Sequence, residues 1–183
     1  MEEHAHEECA WTCCWVPGSN SLLTGSGDET VRLWTSTQDE IRHEKTISGL
    51  AGCTLGVVSV SVDLTGQWAA SSALDSFVRV WSLQNDTEQR ALLESMPTEV
   101  WDVKFCPVRD KCIIAAAGGT LSKVKMWDIT AMDGATKTPA PDPHLFDIVR
   151  FSREVLTVTA LGLGSIQWTK SEFMLPGESR PCR

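Results

Sequence analysis

Three residues near the start of the chain have the side-chain types of a hydrolase triad. His6 could act as a base, Thr24 could supply a hydroxyl nucleophile, and Asp28 could orient the imidazole. No nucleophile elbow surrounds Thr24, however, and the same hydroxyl-to-carboxylate spacing recurs later in the chain as Ser71 and Asp75. Because a repeated spacing favours a structural role, we expect no catalytic residue. A hydrolase-like enzyme is kept as the alternative from another functional class.

The same segment contains the one cluster of side chains that could ligate a metal. Its members are His4, His6, Cys9, Cys13 and Cys14. Their spacing fits no standard zinc pattern, and the adjacent Cys13 and Cys14 lie in a predicted strand, where successive side chains point to opposite faces. The glycine-rich stretch 25–27 is followed by no helical pattern with Lys-Ser/Thr, which disfavours a phosphate loop. We therefore expect neither a metal nor a cofactor.

Length and composition are those of an ordinary folded protein. The chain has 183 residues, 42% of them hydrophobic and 22% charged, and its apolar runs are too short to cross a bilayer. Its acidic start differs from a secretory signal, and its seven cysteines form no even disulfide framework. We therefore expect an intracellular protein with mostly reduced thiols. A formal net charge of -8 without basic clusters disfavours direct binding to nucleic acid.

Tryptophan marks an internal repeat. Three short strands end at Trp34, Trp81 and Trp127, at intervals of 47 and 46 residues. Each strand has a basic residue between apolar ones, and this period of two predicts one buried face and one solvent face. The basic residues that we expect to face solvent are Arg32, Arg79 and Lys125.

Each tryptophan strand belongs to a larger unit. Two apolar runs with turn signals precede it, as in 10–15 and 22–26, and weaker strand-like segments follow the first two, as in 40–47. Four strands in about 46 residues is the pattern of a β-propeller blade, so the sequence predicts an all-β fold.

The segment Thr24–Trp34, TGSGDETVRLW, resembles the blade consensus of the WD-repeat (tryptophan-aspartate repeat) family. The likeness covers roughly residues 5 to 130, and it implies a partial β-propeller with three recognisable four-stranded blades and an incomplete fourth. The expected divisions are three blades within 1–130 (about 5–50, 51–97 and 98–130), a Pro-rich linker at 131–144, a partial fourth blade at 145–170 and a disordered tail at 171–183.

The resemblance also implies a buried tetrad of His, Ser/Thr, Asp and Trp in each blade. A buried imidazole and carboxylate are tolerable only when both are hydrogen-bonded. In the second repeat Cys53 stands near the His position, and in the third Ala117 and Leu121 replace the polar pair. The matching residues are His6, Thr24, Asp28 and Trp34 in the first repeat, Ser71, Asp75 and Trp81 in the second, and Trp127 in the third.

Loop segments give a narrower resemblance. Residues 5–8, 55–60 and 69–80 are similar to the WD-repeat subunit of the superkiller complex and to the plant vernalization-independence WD-repeat subunit of the RNA polymerase-associated factor complex. This resemblance implies a noncatalytic scaffold that binds protein subunits in mRNA decay or transcription elongation with histone modification. It also implies a protein of the nucleus and the cytoplasm, with no membrane partner.

Seven blades would need roughly 320 residues, so the sequence predicts a truncated propeller. Its open edges would expose apolar side chains, and we expect self-association through them. A truncated isoform without independent function, or a competitor of the full-length protein, is the alternative. Trp11 and Trp101 begin the first strands of repeats one and three, near the loops that bind partners in this family, and are either partner contacts or packing residues.

Overall fold

The computed structural model describes residues 5–47, 55–84, 89–95, 99–108, 112–118 and 124–129, and the backbone of four further strands between 144 and 172. All regular elements in these ranges are β-strands, which confirms the all-β fold. The described part of the chain holds no helix with the length and apolar character that a membrane crossing requires.

The first sheet is an antiparallel meander in which each strand pairs with the next along the chain. Its strands are β1 (Ala10–Trp15), β2 (Ser21–Ser26), β3 (Val31–Ser36) and β4 (Ile41–Ile47). Gly18 turns the chain between β1 and β2 with a positive φ of 73°, a conformation that costs glycine little. A bulge at Trp11 shifts the register at the start of β1.

The second sheet repeats this arrangement and has a bulge at the same place in its first strand. Its strands are β5 (Val57–Val62), β6 (Trp68–Ala73), β7 (Phe77–Ser82) and β8 (Gln89–Glu94). Asp63 closes the turn between β5 and β6, where its carboxylate accepts the backbone N–H groups of Thr65, Gln67 and Trp68. The two sheets are therefore copies of one supersecondary unit.

The third sheet takes its last strand from beyond the Pro-rich segment. It contains β9 (Asp102–Phe105), β10 (Ile113–Ala117), β11 (Lys125–Asp128) and β12 (His144–Leu145), and Lys125 pairs with Leu145. A three-stranded sheet follows with β13 (Ile148–Phe151), β14 (Glu154–Leu161) and β15 (Ser165–Glu172). The domain boundaries given above stay a prediction, and residues 173–183 lie outside the described ones.

The hydrophobic core lies between the sheets. One cluster joins the first and second sheets and includes Leu23, Val31, Val57 and Trp81. A second cluster joins the second and third sheets and includes Val80, Val103 and Trp127. The second sheet therefore buries side chains on both of its faces, as expected for stacked repeats.

Burial on both faces overturns one expectation from the sequence. Arg79 is only 1% exposed and Lys125 is also buried, whereas the side chain of Arg32 is 19% exposed. The prediction that these residues face solvent was wrong for Arg79 and Lys125, because alternation separates two faces of a strand but does not show that one of them meets water. In the second and third sheets, the face with the basic residue is covered as well.

Candidate functional site

The four tetrad residues of the first repeat lie in one hydrogen-bonded chain. His6 Nδ1 is 2.9 Å from Asp28 Oδ2, and His6 Nε2 is 2.7 Å from Thr24 Oγ1. The indole N–H of Trp34 donates to the same Thr24 oxygen at 2.9 Å. We call these four residues the first network. It ties the segment before β1 to β2, β3 and the turn between them.

One proton arrangement satisfies every group in this network. Because Trp34 has only a donor, Thr24 Oγ1 accepts from it and can give its own proton to His6 Nε2. The imidazole then carries its proton on Nδ1 and donates to Asp28. The Thr24 hydroxyl is thus held between two rings in a buried position, which suits a structural bond better than nucleophilic attack.

Asp28 is the acceptor at the end of the chain. Burial alone would raise its pKa, but hydrogen bonds from the Thr30 side chain, the Glu7 backbone, His6 and the Thr30 backbone outweigh burial and lower the pKa to about 2. The Thr30 hydroxyl donates at 2.6 Å and the Glu7 N–H at 3.0 Å. The carboxylate therefore stays charged and fixes both the turn after β2 and the segment before β1.

The second sheet does not bring its predicted tetrad residues together in this way. Among the described residues, neither Ser71 Oγ nor Trp81 Nε1 has a hydrogen-bond partner. Asp75 instead binds Arg79 through both carboxylate oxygens, with Nη1–Oδ1 and Nη2–Oδ2 distances of 3.2 and 2.5 Å. Cys53, which stands near the His position, lies outside the described residues. A buried ion pair thus stands where the first sheet has an imidazole–carboxylate pair.

In the third sheet, Trp127 is buried in the core beside Ile114. The register places Ala116 rather than Ala117 at the Thr24 position, because Ala116 pairs with Lys125 as Thr24 pairs with Arg32, and alanine offers no hydroxyl. Lys125 Nζ donates to the backbone carbonyl of Ser95 in the second sheet's last connection. Burial lowers the pKa of Lys125, although Glu94 opposes the shift. Within the described residues, the third sheet therefore has no counterpart of the first network, and Leu121 lies outside them.

Exposed apolar side chains lie at one edge of the array. This upper edge contains the start of the first strand of each sheet and the turn between its second and third strands. Trp11 is 50% exposed and Trp101 is 44% exposed. The two tryptophans are equivalent in register, because the residues that follow them, Thr12 and Asp102, hold the same place in their sheets. The Trp11 ring lies over Gly27 and Gly56, where a Cβ would come within 3.4 and 3.0 Å of it.

Sequence reasoning missed Leu55, which belongs to the same edge. This residue is 63% exposed and has a positive φ of 90°, a strained backbone conformation for leucine. Its N–H donates to Glu29 Oε1 at 3.3 Å, and its neighbour Gly56 lies under the Trp11 ring. Nothing in the residue pattern distinguishes an exposed loop leucine from a packed one. We call Trp11, Leu55 and Trp101 the upper-edge patch.

The cysteines and histidines form no second site in the described residues. Within that part of the chain, no group of three or more His, Cys, Asp or Glu could hold a metal. His4 lies outside the described residues. Among the described residues, Cys9, Cys13 and Cys14 are free thiols.

Comparison with known proteins agrees with this geometry. The WD domain, G-beta repeat family matches residues 2–35 and 44–82, which lie in the first two sheets and end before β8. The WD repeat-containing protein VIP3 of Arabidopsis thaliana is 37% identical over 203 aligned residues, covering 99% of this chain and 61% of the relative.

Two further relatives match smaller parts. The WD repeat-containing protein SL1-17 of Schistosoma mansoni is 32% identical over 58% of this chain and 36% of its own length. The GATOR2 complex protein MIOS of Dictyostelium discoideum is 27% identical over 76% of this chain and 12% of its own. The chain thus spans less than two thirds of each of these relatives. The chain therefore contains WD repeats, and its stacked four-stranded sheets form a partial β-propeller.

Proposed function

We propose that the chain is a noncatalytic scaffold that binds protein partners through the upper-edge patch. The observation that carries this proposal is the exposure of Trp11, Leu55 and Trp101 on one edge. Half-exposed tryptophans on a rigid frame are typical centres of binding energy in protein interfaces. The first network supplies rigidity close to Trp11 in the chain, because it anchors the segment before β1 to the turn after β2.

The charge around the patch indicates the kind of partner. The exposed residues Glu8, Glu29 and Glu99 lie on the same edge. Acidic side chains around an apolar centre favour a segment that combines apolar anchors with basic residues. The partner would be a subunit of a larger complex, of the superkiller or RNA polymerase-associated factor type, and the chain would act in the nucleus and the cytoplasm.

Affinity capture tests the proposal. A tagged full chain is compared with the double variant Trp11→Ala/Trp101→Ala and with Ile41→Ala, which alters an exposed large residue on β4 away from the upper edge. Loss of two interface tryptophans should weaken binding at least roughly tenfold, while Ile41→Ala should bind as the parent does.

The capture results decide between the proposal and its alternatives. Capture of superkiller or polymerase-associated subunits only by the parent and Ile41→Ala supports the scaffold. Equal capture by all three variants rejects the upper-edge patch. If no partner is retained even by the parent, the truncated product without independent function replaces the proposal. A competitor would instead displace the full-length protein from its partners. Turnover of a substrate that depends on Asp28 would favour the hydrolase-like alternative.

Imaging of a fluorescent fusion of the chain tests the proposed location in the nucleus and the cytoplasm.

A further inference from the structure

The first strands of the sheets, which we call inner strands, are joined by side chains rather than by a β-ladder. Between β5 and β9, Ser59 Oγ accepts a hydrogen bond from the backbone N–H of Val103 at 3.3 Å, and Ser61 Oγ accepts one from the N–H of Phe105 at 3.0 Å. The Ser59 hydroxyl in turn donates to Asp102 Oδ1 at 2.7 Å. Hydroxyls two residues apart on one strand therefore cap the backbone of the next.

The contact between β1 and β5 follows the same rule with weaker acceptors. Thr12 Oγ1 accepts the N–H of Val60 at 3.3 Å. Two residues on, the Cys14 thiol faces the N–H of Val62; burial raises the pKa of this thiol, and the N–H works against that effect. Thr12 and Cys14 thus occupy the positions on β1 that Ser59 and Ser61 hold on β5. We call each such contact between two neighbouring inner strands a seam.

The strand register makes these positions equivalent. Thr12 and Ser59 both lie just after the bulge of their strand, opposite Gly25 and Ser72 respectively. At each contact between two inner strands, the side-chain oxygen accepts a hydrogen bond from a backbone N–H of the following strand. That N–H belongs to the residue just after the one that is equivalent in register to the accepting residue. An inner strand has a partner strand on one side only, so these side chains satisfy an edge that would otherwise be open.

The open edge of β1 lacks such a cap. By the same register, the N–H groups of Cys13 and Trp15 are the counterparts of those on Val60 and Val62, and they point away from β2. No described residue places a side-chain acceptor on either group. Cys13 is exposed and Trp15 is 56% exposed, so this edge has both free donors and apolar surface beside them.

We propose that the open edge of β1 binds an extended segment of a partner chain that carries hydroxyl side chains two residues apart, in a Ser/Thr-x-Ser/Thr pattern. The hydroxyls accept the N–H groups of Cys13 and Trp15, and an apolar residue between or beside them covers the Trp15 ring. This surface is separate from the upper-edge patch, because Trp15 ends β1 whereas Trp11 lies at its start. The inference does not rest on the proposed function.

A peptide that copies residues 56–65, extended by two lysines for solubility, is the probe. It contains Ser59 and Ser61 and no tryptophan. The control peptide carries alanine at both serine positions, so that size and strand propensity are nearly matched. Binding to the full 183-residue chain is followed by titration calorimetry, and amide hydrogen exchange is read at Cys13 and Trp15.

The serine peptide should bind about tenfold more tightly than the alanine peptide, because two hydrogen bonds are at stake. It should also slow exchange at Cys13 and Trp15 without slowing exchange at Val103 and Phe105. Equal affinity of the two peptides, or unchanged exchange at Cys13 and Trp15, overturns the proposal. A dimer that grows with protein concentration and protects the same two amides without peptide also overturns it, in favour of a second copy.

Discussion

The first and second sheets each bury an aspartate in the turn after their second strand, but they bind its carboxylate with different side chains. Asp28 and Asp75 hold equivalent places in the turn after the second strand, and each is followed four residues later by an arginine. In the first sheet His6 binds the carboxylate, and Arg32 stays 3.8 Å away with part of its side chain in water. In the second sheet Arg79 turns inward and binds Asp75 with its two terminal nitrogens, Nη1 and Nη2.

This difference shows what an imidazole contributes beyond one hydrogen bond. His6 connects the carboxylate to Thr24 and Trp34, so the polar groups of the four residues in the first network satisfy one another. The Asp75–Arg79 pair neutralises charge but does not reach Ser71 or Trp81 in the described residues. The second sheet therefore combines a buried ion pair with orphaned polar atoms, both of which cost free energy.

The largest expected effect is in the ion pair of the second sheet. Asp75→Ala removes the carboxylate that neutralises a deeply buried guanidinium, and we expect it to lower the free energy of unfolding by about 3–5 kcal/mol. Urea unfolding followed by circular dichroism measures this. Glu40→Ala, which breaks the exposed pair with Arg42, is the control and should change stability by less than about 1 kcal/mol. A loss as small as the control's would show that Arg79 reaches solvent.

A matched pair of hydroxyl deletions should have opposite results in the two sheets. Thr24→Val removes the oxygen that joins His6 and Trp34, and it should cost about 1–3 kcal/mol. Ser71→Ala removes a buried hydroxyl without a partner among the described residues, so stability should stay level or rise. Thermal unfolding of both variants beside the parent checks this. Equal losses would mean that Ser71 does have a partner.

Acid should act on the first network through Asp28. The folded-state pKa of about 2 lies below the ordinary value of 3.8, so this carboxylate contributes stability that is present above about pH 4. That contribution is lost as the pH falls through the window from about 4 to about 2. Asp28→Asn should therefore flatten the acid limb of the stability curve. An acid limb of the same steepness in Asp28→Asn and the parent would assign the transition to other carboxylates.

The smallest effect is expected at the arginine of the first sheet. Arg32→Ala breaks only a 3.8 Å contact with Asp28 and should cost less than about 1 kcal/mol. The corresponding change Arg79→Ala removes a buried bidentate contact and should cost several times more. The ratio of the two losses, read from urea midpoints, measures how differently the repeats use one sequence position. A ratio near one would remove the contrast between the sheets.

The sequence was informative about elements and less so about their environment. The repeat of tryptophan strands and the resemblance to WD blades predicted the sheets and named the residues of the first network. The burial of Arg79 and Lys125 could not be predicted, because alternation within a strand carries no information about which neighbouring sheet covers each face. Leu55 was missed because its exposure depends on a strained loop backbone rather than on a residue pattern.

The hydrogen bonds between inner strands also could not be predicted from the residue pattern. Val57–Val62 reads as alternating valine and serine, which is typical of a strand with one polar face. Those serines are buried and bind a strand 44 residues further along the chain. Only the stacking of the sheets brings the hydroxyls of one inner strand to the open backbone of the next, and no local property of the sequence encodes that placement.

The spacing of these bonds sets an order for folding during synthesis. Every bond of the first network joins residues between 6 and 34, so the first sheet can close while later repeats are still in the ribosome. The seams need partners 44 to 48 residues further on and must wait for the next inner strand to emerge. We therefore expect the array to grow one sheet at a time from the N-terminus, with each new inner strand captured by side chains already in place.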